Sequence, residues 1–94
     1  MDAEAAAVAD RYARFARDEA PGRSDLYGAW AQLVASDRDV QEVLARIAPQ
    51  RRQPPLVFAV TRLLGVGEPD AATWRDWLLA HADAVVAECG RRSL

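Results

Sequence analysis

The run PQRRQPPLVFAVTRLLG, from Pro49 to Gly65, restricts the fold more than any other part of this chain. Proline fixes φ and lacks an N–H, so Pro49 stops one helix and Pro54-Pro55 suit the first turn of the next. Leu56 to Leu64 is then apolar on nearly every side of a helix, and Gly65 stands where a left-handed residue would close it. A short helix without a polar face belongs at the centre of a fold. The rest of the chain has to wrap around it.

Helical spacing dominates elsewhere, and no segment alternates with a period of two over a useful length. Val8, Tyr12, Phe15 and Glu19 predict a first helix from about Ala3 to Glu19, capped by Asp2 and ended by Pro21-Gly22. Ser24 reads as the cap of a second helix reaching Ala35, with Leu26, Trp30, Leu33 and Val34 as its buried stripe. Ser36 and Asp39 stand in capping-box relation for a third, whose apolar face is Val40, Val43, Leu44 and Ile47. After the loop GVGEPD, Thr73 and Asp76 repeat the signal. Trp74, Trp77, Leu78, His81, Val85 and Cys89 then share one face of a last helix. The expectation is all-α: a single domain over 1–94, a compact bundle of about five short helices around a central apolar helix at roughly 55–64.

With 94 residues, 51% hydrophobic and 28% charged, the chain falls among small globular domains. Much of the apolar fraction is alanine, which favours helix but buries little area, so the core must rest on few large side chains. All twelve basic residues are arginine, and net charge is −2. The arginine, alanine and valine bias fits a GC-rich, actinobacterial genome. The acidic balance argues against nucleic acid or an anionic membrane as partner. No apolar run approaches the ~20 residues needed to cross a bilayer. Cys89 has no partner for an intramolecular disulfide, and the N-terminus lacks a signal-peptide pattern, so a cytoplasmic location is expected.

Chemistry is sparse. One histidine and one cysteine do not make a metal site, and His81 and Cys89 lie two helical turns apart, too far for a nucleophile–base pair. The glycines of GVGEP follow a helix rather than a strand and read as a cap and turn, not a phosphate loop. Asp10–Arg14 and Glu42–Arg46 have the spacing of helix surface pairs. Neither catalytic nor cofactor-binding residues are assigned.

Two blocks carry a resemblance. Tyr12, Phe15, Ala16, Glu19, Ala20, Gly22, Ser24, Leu26 and Tyr27 fit the pattern Y-x-x-F-A-x-x-E-A-x-G-x-S-x-L-Y. Pro49, Arg52, Gln53, Pro54, Leu56, Phe58, Ala59 and Val60 fit P-x-x-x-R-Q-P-N-L-L-F-A-A-V, with Pro55 in place of Asn. WRDWLLAHADAVVAECGRR is similar to F-x-x-F-x-x-x-H, with His81 on the matching position. The chain thus resembles the N-terminal region of the actinobacterial family of domain of unknown function 2332. In that family a pair like Arg91–Arg92 leads into T-Q-T-N-E and a much larger remainder, whereas this sequence stops at Ser93-Leu94.

The resemblance implies a free-standing helical subunit without chemistry of its own. The expected function is a non-catalytic helper that binds and stabilises or completes a larger enzyme chain. The suggested setting is actinobacterial secondary metabolism, for example an aziridine-forming two-chain complex. Arg52, Gln53, Trp74, Trp77, His81, Arg91 and Arg92 are the candidate partner-binding residues. The alternative is a self-sufficient homodimeric module with a regulatory or ligand-binding role. A third reading is a small enzyme using His81 with Glu19 or Arg52.

Overall fold

A computed structural model describes residues 3–67 and 69–92, and among these every regular element is helical. The expected cap Asp2, loop residue Glu68 and terminal Ser93-Leu94 lie outside the described residues. Helix α1 spans Ala3–Arg14 and continues as a π turn over Phe15–Glu19, closed by the Ala20 N–H donating to the Phe15 carbonyl at 3.0 Å. A 3-10 turn, Pro21–Arg23, leads into α2, Ser24–Ser36. Then come α3, Arg38–Ala45, and a second 3-10 turn, Pro49–Arg51. The chain closes with α4, Pro54–Leu63, α5, Ala71–Ala80, and α6, Ala82–Arg91.

The expected caps move by a few residues. Ser24 is already inside α2, with φ near −61°, because the 3-10 turn runs straight into the helix. Ser36 is the last residue of α2, and its hydroxyl bonds back to the Gln32 carbonyl at 2.9 Å. Asp37 therefore caps α3, accepting from the Val40 N–H at 3.1 Å. At α5 the cap is Asp70, accepting from Thr73 N–H at 2.8 Å. These carboxylates satisfy donors that a helix start leaves open, each worth about 1 kcal/mol.

The single last helix expected from the sequence is broken at His81. Its backbone leaves helical geometry at φ −119°, ψ 23°. The Trp77 carbonyl takes the His81 N–H at 3.0 Å and lies 2.9 Å from Nδ1 of the same residue. Trp74, Leu78, Val85 and Cys89 stay fully buried across the break, which is why the sequence pattern runs on unbroken.

The core is one cluster with Phe58 of α4 at its centre. Phe58 meets Tyr12 of α1 edge-on at 5.6 Å and Phe15 at 5.2 Å. Tyr27 of α2 stacks on it at 4.5 Å, and Trp30 leans on it at 4.6 Å. Trp30 in turn stacks on Trp74 of α5, 4.6 Å apart and 12° from parallel. Helix α1 packs along α2, α5 rests on α2 and α3, and α4 lies against α6. Few large side chains thus hold many small ones in place. Aromatic pairs of this kind add about 0.5–1.5 kcal/mol each beyond the area they bury.

Helix α4 is central as expected, though not on every side. Leu56, Val57, Phe58, Val60 and Thr61 are buried, while Leu63 is 53% and Leu64 36% exposed. Gly65 has φ +97°, and its N–H donates to the Arg62 carbonyl at 3.0 Å while Val66 N–H reaches the Thr61 carbonyl at 3.1 Å. That pair of bonds is a Schellman closure, which needs the left-handed residue glycine provides.

Candidate functional site

The most developed polar arrangement is the corner where the Pro49–Arg51 turn meets α4. Arg52 follows the turn, and its side chain is only 9% exposed. A guanidinium so buried has to be paired. Its Nε donates to the Ile47 carbonyl at 2.9 Å, and Nη1 donates to Glu4 Oε1 of α1 at 2.6 Å. Beside it, Gln53 Oε1 accepts from Arg11 Nε at 2.9 Å, a second tie from the corner to α1. Both ligands of Arg52 therefore belong to its own chain.

The other sequence candidates fall in separate places. Trp74, named as a candidate for partner binding, is turned by α5 fully into the core against Trp30. Trp77 is half-buried, and the exposed His81 ring stacks on it at 4.8 Å. His81 borders a shallow hollow lined by Leu79 and Ala80 on one side and Ala82, Asp83 and Ala84 on the other. Glu19 faces Arg11 at 4.0 Å and Arg52 is held by Glu4, so neither joins His81. At the end of α6, Arg91 and Arg92 both pair with Glu88, and the Arg92 carbonyl accepts from Arg51. The two arginine pairs are thereby tied together.

The sequence profile of bacterial proteins described as "Uncharacterized protein conserved in bacteria (DUF2332)" matches residues 9–84. The chain belongs to the DUF2332 family. No curated protein and no solved structure matches it. The matched stretch of this DUF2332 chain contains Arg52, Gln53, Trp74, Trp77 and His81, while Glu4 precedes it and Arg91–Arg92 follow it.

Sequence reasoning missed several long-range contacts in the DUF2332 chain. Glu4 and Arg11 look like any exposed residues of a helix, and nothing in their spacing points to residues more than forty positions away. Arg75 of α5 clasps the start of α3, with Nε 2.6 Å from Asp37 Oδ2 and Nη2 3.5 Å from Asp39. The hydrogen bond from Arg75, then the Val40 N–H, holds the Asp37 carboxyl below its usual range. Arg46 reaches Asp83 of α6 at 2.6 Å rather than pairing with Glu42, whereas the Asp10–Arg14 pair forms as expected, at 3.2 Å.

Among the described residues no group of three or more histidine, cysteine or carboxylate side chains is placed to hold a metal ion. No described helix is long and apolar enough to cross a membrane. Cys89 is buried, and burial, aided by the charge of Glu88, pushes its thiol up to about 11. Tyr12 is raised well above the ordinary tyrosine value, first by burial and then by Cys89, with Arg52 opposing. Neither group is set up as a nucleophile at neutral pH.

Proposed function

We propose that this DUF2332 chain is a non-catalytic helper that docks onto a larger protein, expected to be an enzyme chain, and stabilises or completes it. The observation that carries the reading is the end of α4. Leu63 and Leu64 are adjacent large apolar residues exposed at 53% and 36%, at the end of a helix whose other large apolar side chains are enclosed. The Schellman closure at Gly65 holds them in place without covering them. Large apolar groups fixed on a surface are the usual start of an interface. The half-buried Trp77, with the His81 ring flat against it, offers a second planar contact surface.

A larger protein encoded by a neighbouring gene is the partner to test. Co-expression is expected to give a stoichiometric complex by light scattering after size exclusion. Leu63→Asp with Leu64→Asp should abolish it while leaving the helical circular dichroism unchanged. A wild-type chain that stays monomeric beside that protein, or a complex indifferent to both aspartates, would sink the reading.

A homodimer is the second reading, favoured by an open groove of about 520 Å³ between α1 and α2. Small side chains line it, among them Ala9 and Ala13 of α1 and Ala16 of the π turn, with Gly28, Ala31 and Ala35 of α2. A helix from a second copy could approach closely there. Ala13→Trp would then convert a dimer seen by light scattering into a monomer.

A further inference from the structure

The geometry points to the Arg52 corner as a binding site for a small carboxylate, in which Glu4 is the resident, displaceable occupant. The two ends of the ion pair are unequal. Arg52 is locked: its side chain is 9% exposed and its Nε is fixed by the Ile47 carbonyl. Glu4 is not, since its side chain is 63% exposed and its Oε1 meets Arg52 through a single 2.6 Å contact. Beyond Ile47 and Glu4, no other acceptor is bonded to this guanidinium among the described residues. Arginine presents a planar fork that suits both oxygens of a carboxylate, so an incoming acid can use donors that Glu4 leaves open.

The surroundings fit that ligand class. A cleft of about 250 Å³ opens between α1 and the Pro49 turn, with Glu4, Arg11, Arg52 and Gln53 on its polar side. Ala7, Val8 and Pro49 give it an apolar wall. Arg11 is oriented by Gln53 through the 2.9 Å bond from its Nε, and among the described residues the carboxylate it faces is Glu19 of the π turn, at 4.0 Å. The cleft thus combines one buried and one part-exposed guanidinium with a wall for a small hydrocarbon body. A monocarboxylic acid with a compact apolar group matches it. Replacing Glu4 by such an acid exchanges one carboxylate for another, so Arg52 is never left buried and unpaired. The site needs no partner chain and stands apart from the docking reading.

Sodium benzoate is the probe, titrated while the Arg52 Nε–H resonance is followed by proton–nitrogen NMR. Glu4→Gln removes the competing charge and keeps the shape. If Glu4 occupies Arg52 about nine-tenths of the time, the variant should bind benzoate roughly tenfold more tightly than wild type. Arg11→Gln leaves the Arg52–Glu4 pair intact and should weaken binding in both backgrounds, so the result does not depend on a variant at Arg52 itself. Chloride at matched ionic strength should leave the resonance in place. The proposal is overturned if the Arg52 signal stays still in Glu4→Gln, if chloride moves it equally, or if wild type and Glu4→Gln bind benzoate alike.

Discussion

The aromatic interior and the Arg52 corner hold the same helices together by opposite means. Inside, Phe58, Trp30 and Trp74 act through area and shape, with ring separations of 4.6 Å and no charge. At the corner, one guanidinium joins the end of α3 to the start of α1 through two hydrogen bonds. Apolar burial is non-directional and tolerates small shifts, so its strength grows with area. A buried charge contributes little net stability but is costly to leave unpaired, so it selects one arrangement over near alternatives. The interior should therefore carry most of the stability, and the corner the alignment of α1 with the turn before α4.

The sharpest way to break this comparison is Phe58→Ala. Removing the ring shared by α1, α2 and α4 should cost about 3–5 kcal/mol, measured by urea unfolding, a large share of the stability of a domain of this size. If the loss were below that of any corner substitution, the division of labour would be wrong. Arg52→Ala comes next, at about 2 kcal/mol, because it leaves the Ile47 carbonyl without its donor. Glu4→Ala alone should cost less than about 1 kcal/mol, since its carboxylate stays largely in water. Equal costs for Arg52→Ala and Glu4→Ala would show that the ion pair, not the carbonyl bond, is what matters.

Asp37→Ala should cost about 1 kcal/mol through the lost cap of α3. Its carboxyl is depressed in the folded state, so its contribution is present above the ordinary aspartate value near pH 4 and fades as pH falls through the folded value. An acid titration of stability should be shallower in the variant. The interior shows the opposite sign. Cys89 keeps its proton when folded, so that stability declines as pH rises from the free thiol value near 8.5 towards about 11. A Cys89→Ala variant should lose the first part of that alkaline decline.

The smallest effects sharpen the comparison most. Tyr12 hydroxyl and Trp74 Nε1 are buried with no hydrogen-bond partner among the described residues, whereas Trp30 Nε1 donates to the Pro69 carbonyl at 3.1 Å. Tyr12→Phe should therefore be neutral or slightly stabilising in a thermal melt. Trp74→Phe should be milder than Trp30→Phe by about 1 kcal/mol. The reverse order would mean that shape complementarity in the Trp30–Trp74 stack outweighs the hydrogen bond.

Much of this architecture is legible without coordinates, for local reasons. Pro49 and Pro54 punctuate the chain because the constraint lies in their own rings, and Gly65 closes α4 because only its missing Cβ makes a left-handed turn cheap. The stripe Trp74, Leu78, Val85, Cys89 marks a buried face because helical periodicity is a property of neighbours in sequence. The carboxylate caps at Asp37 and Asp70 show the limit of such reading. Several polar residues stand near each helix start, and which one caps depends on where the preceding turn releases the chain.

The candidate site was half legible. Arg52-Gln53-Pro54 stands out in the sequence because it joins a charge to a helix start, and it lies within the stretch that the family matches. Its partners do not, since Glu4 lies 48 residues away and is one of many surface carboxylates. The sequence by itself determined an all-α fold, its proline and glycine punctuation and its central apolar helix, since dihedral preference and periodicity act within a few residues. Only the tertiary structure decided that His81 breaks the last helix and that Arg52 answers to Glu4. Those outcomes depend on which surfaces meet, and an ion pair between distant helices leaves no periodic trace along the chain.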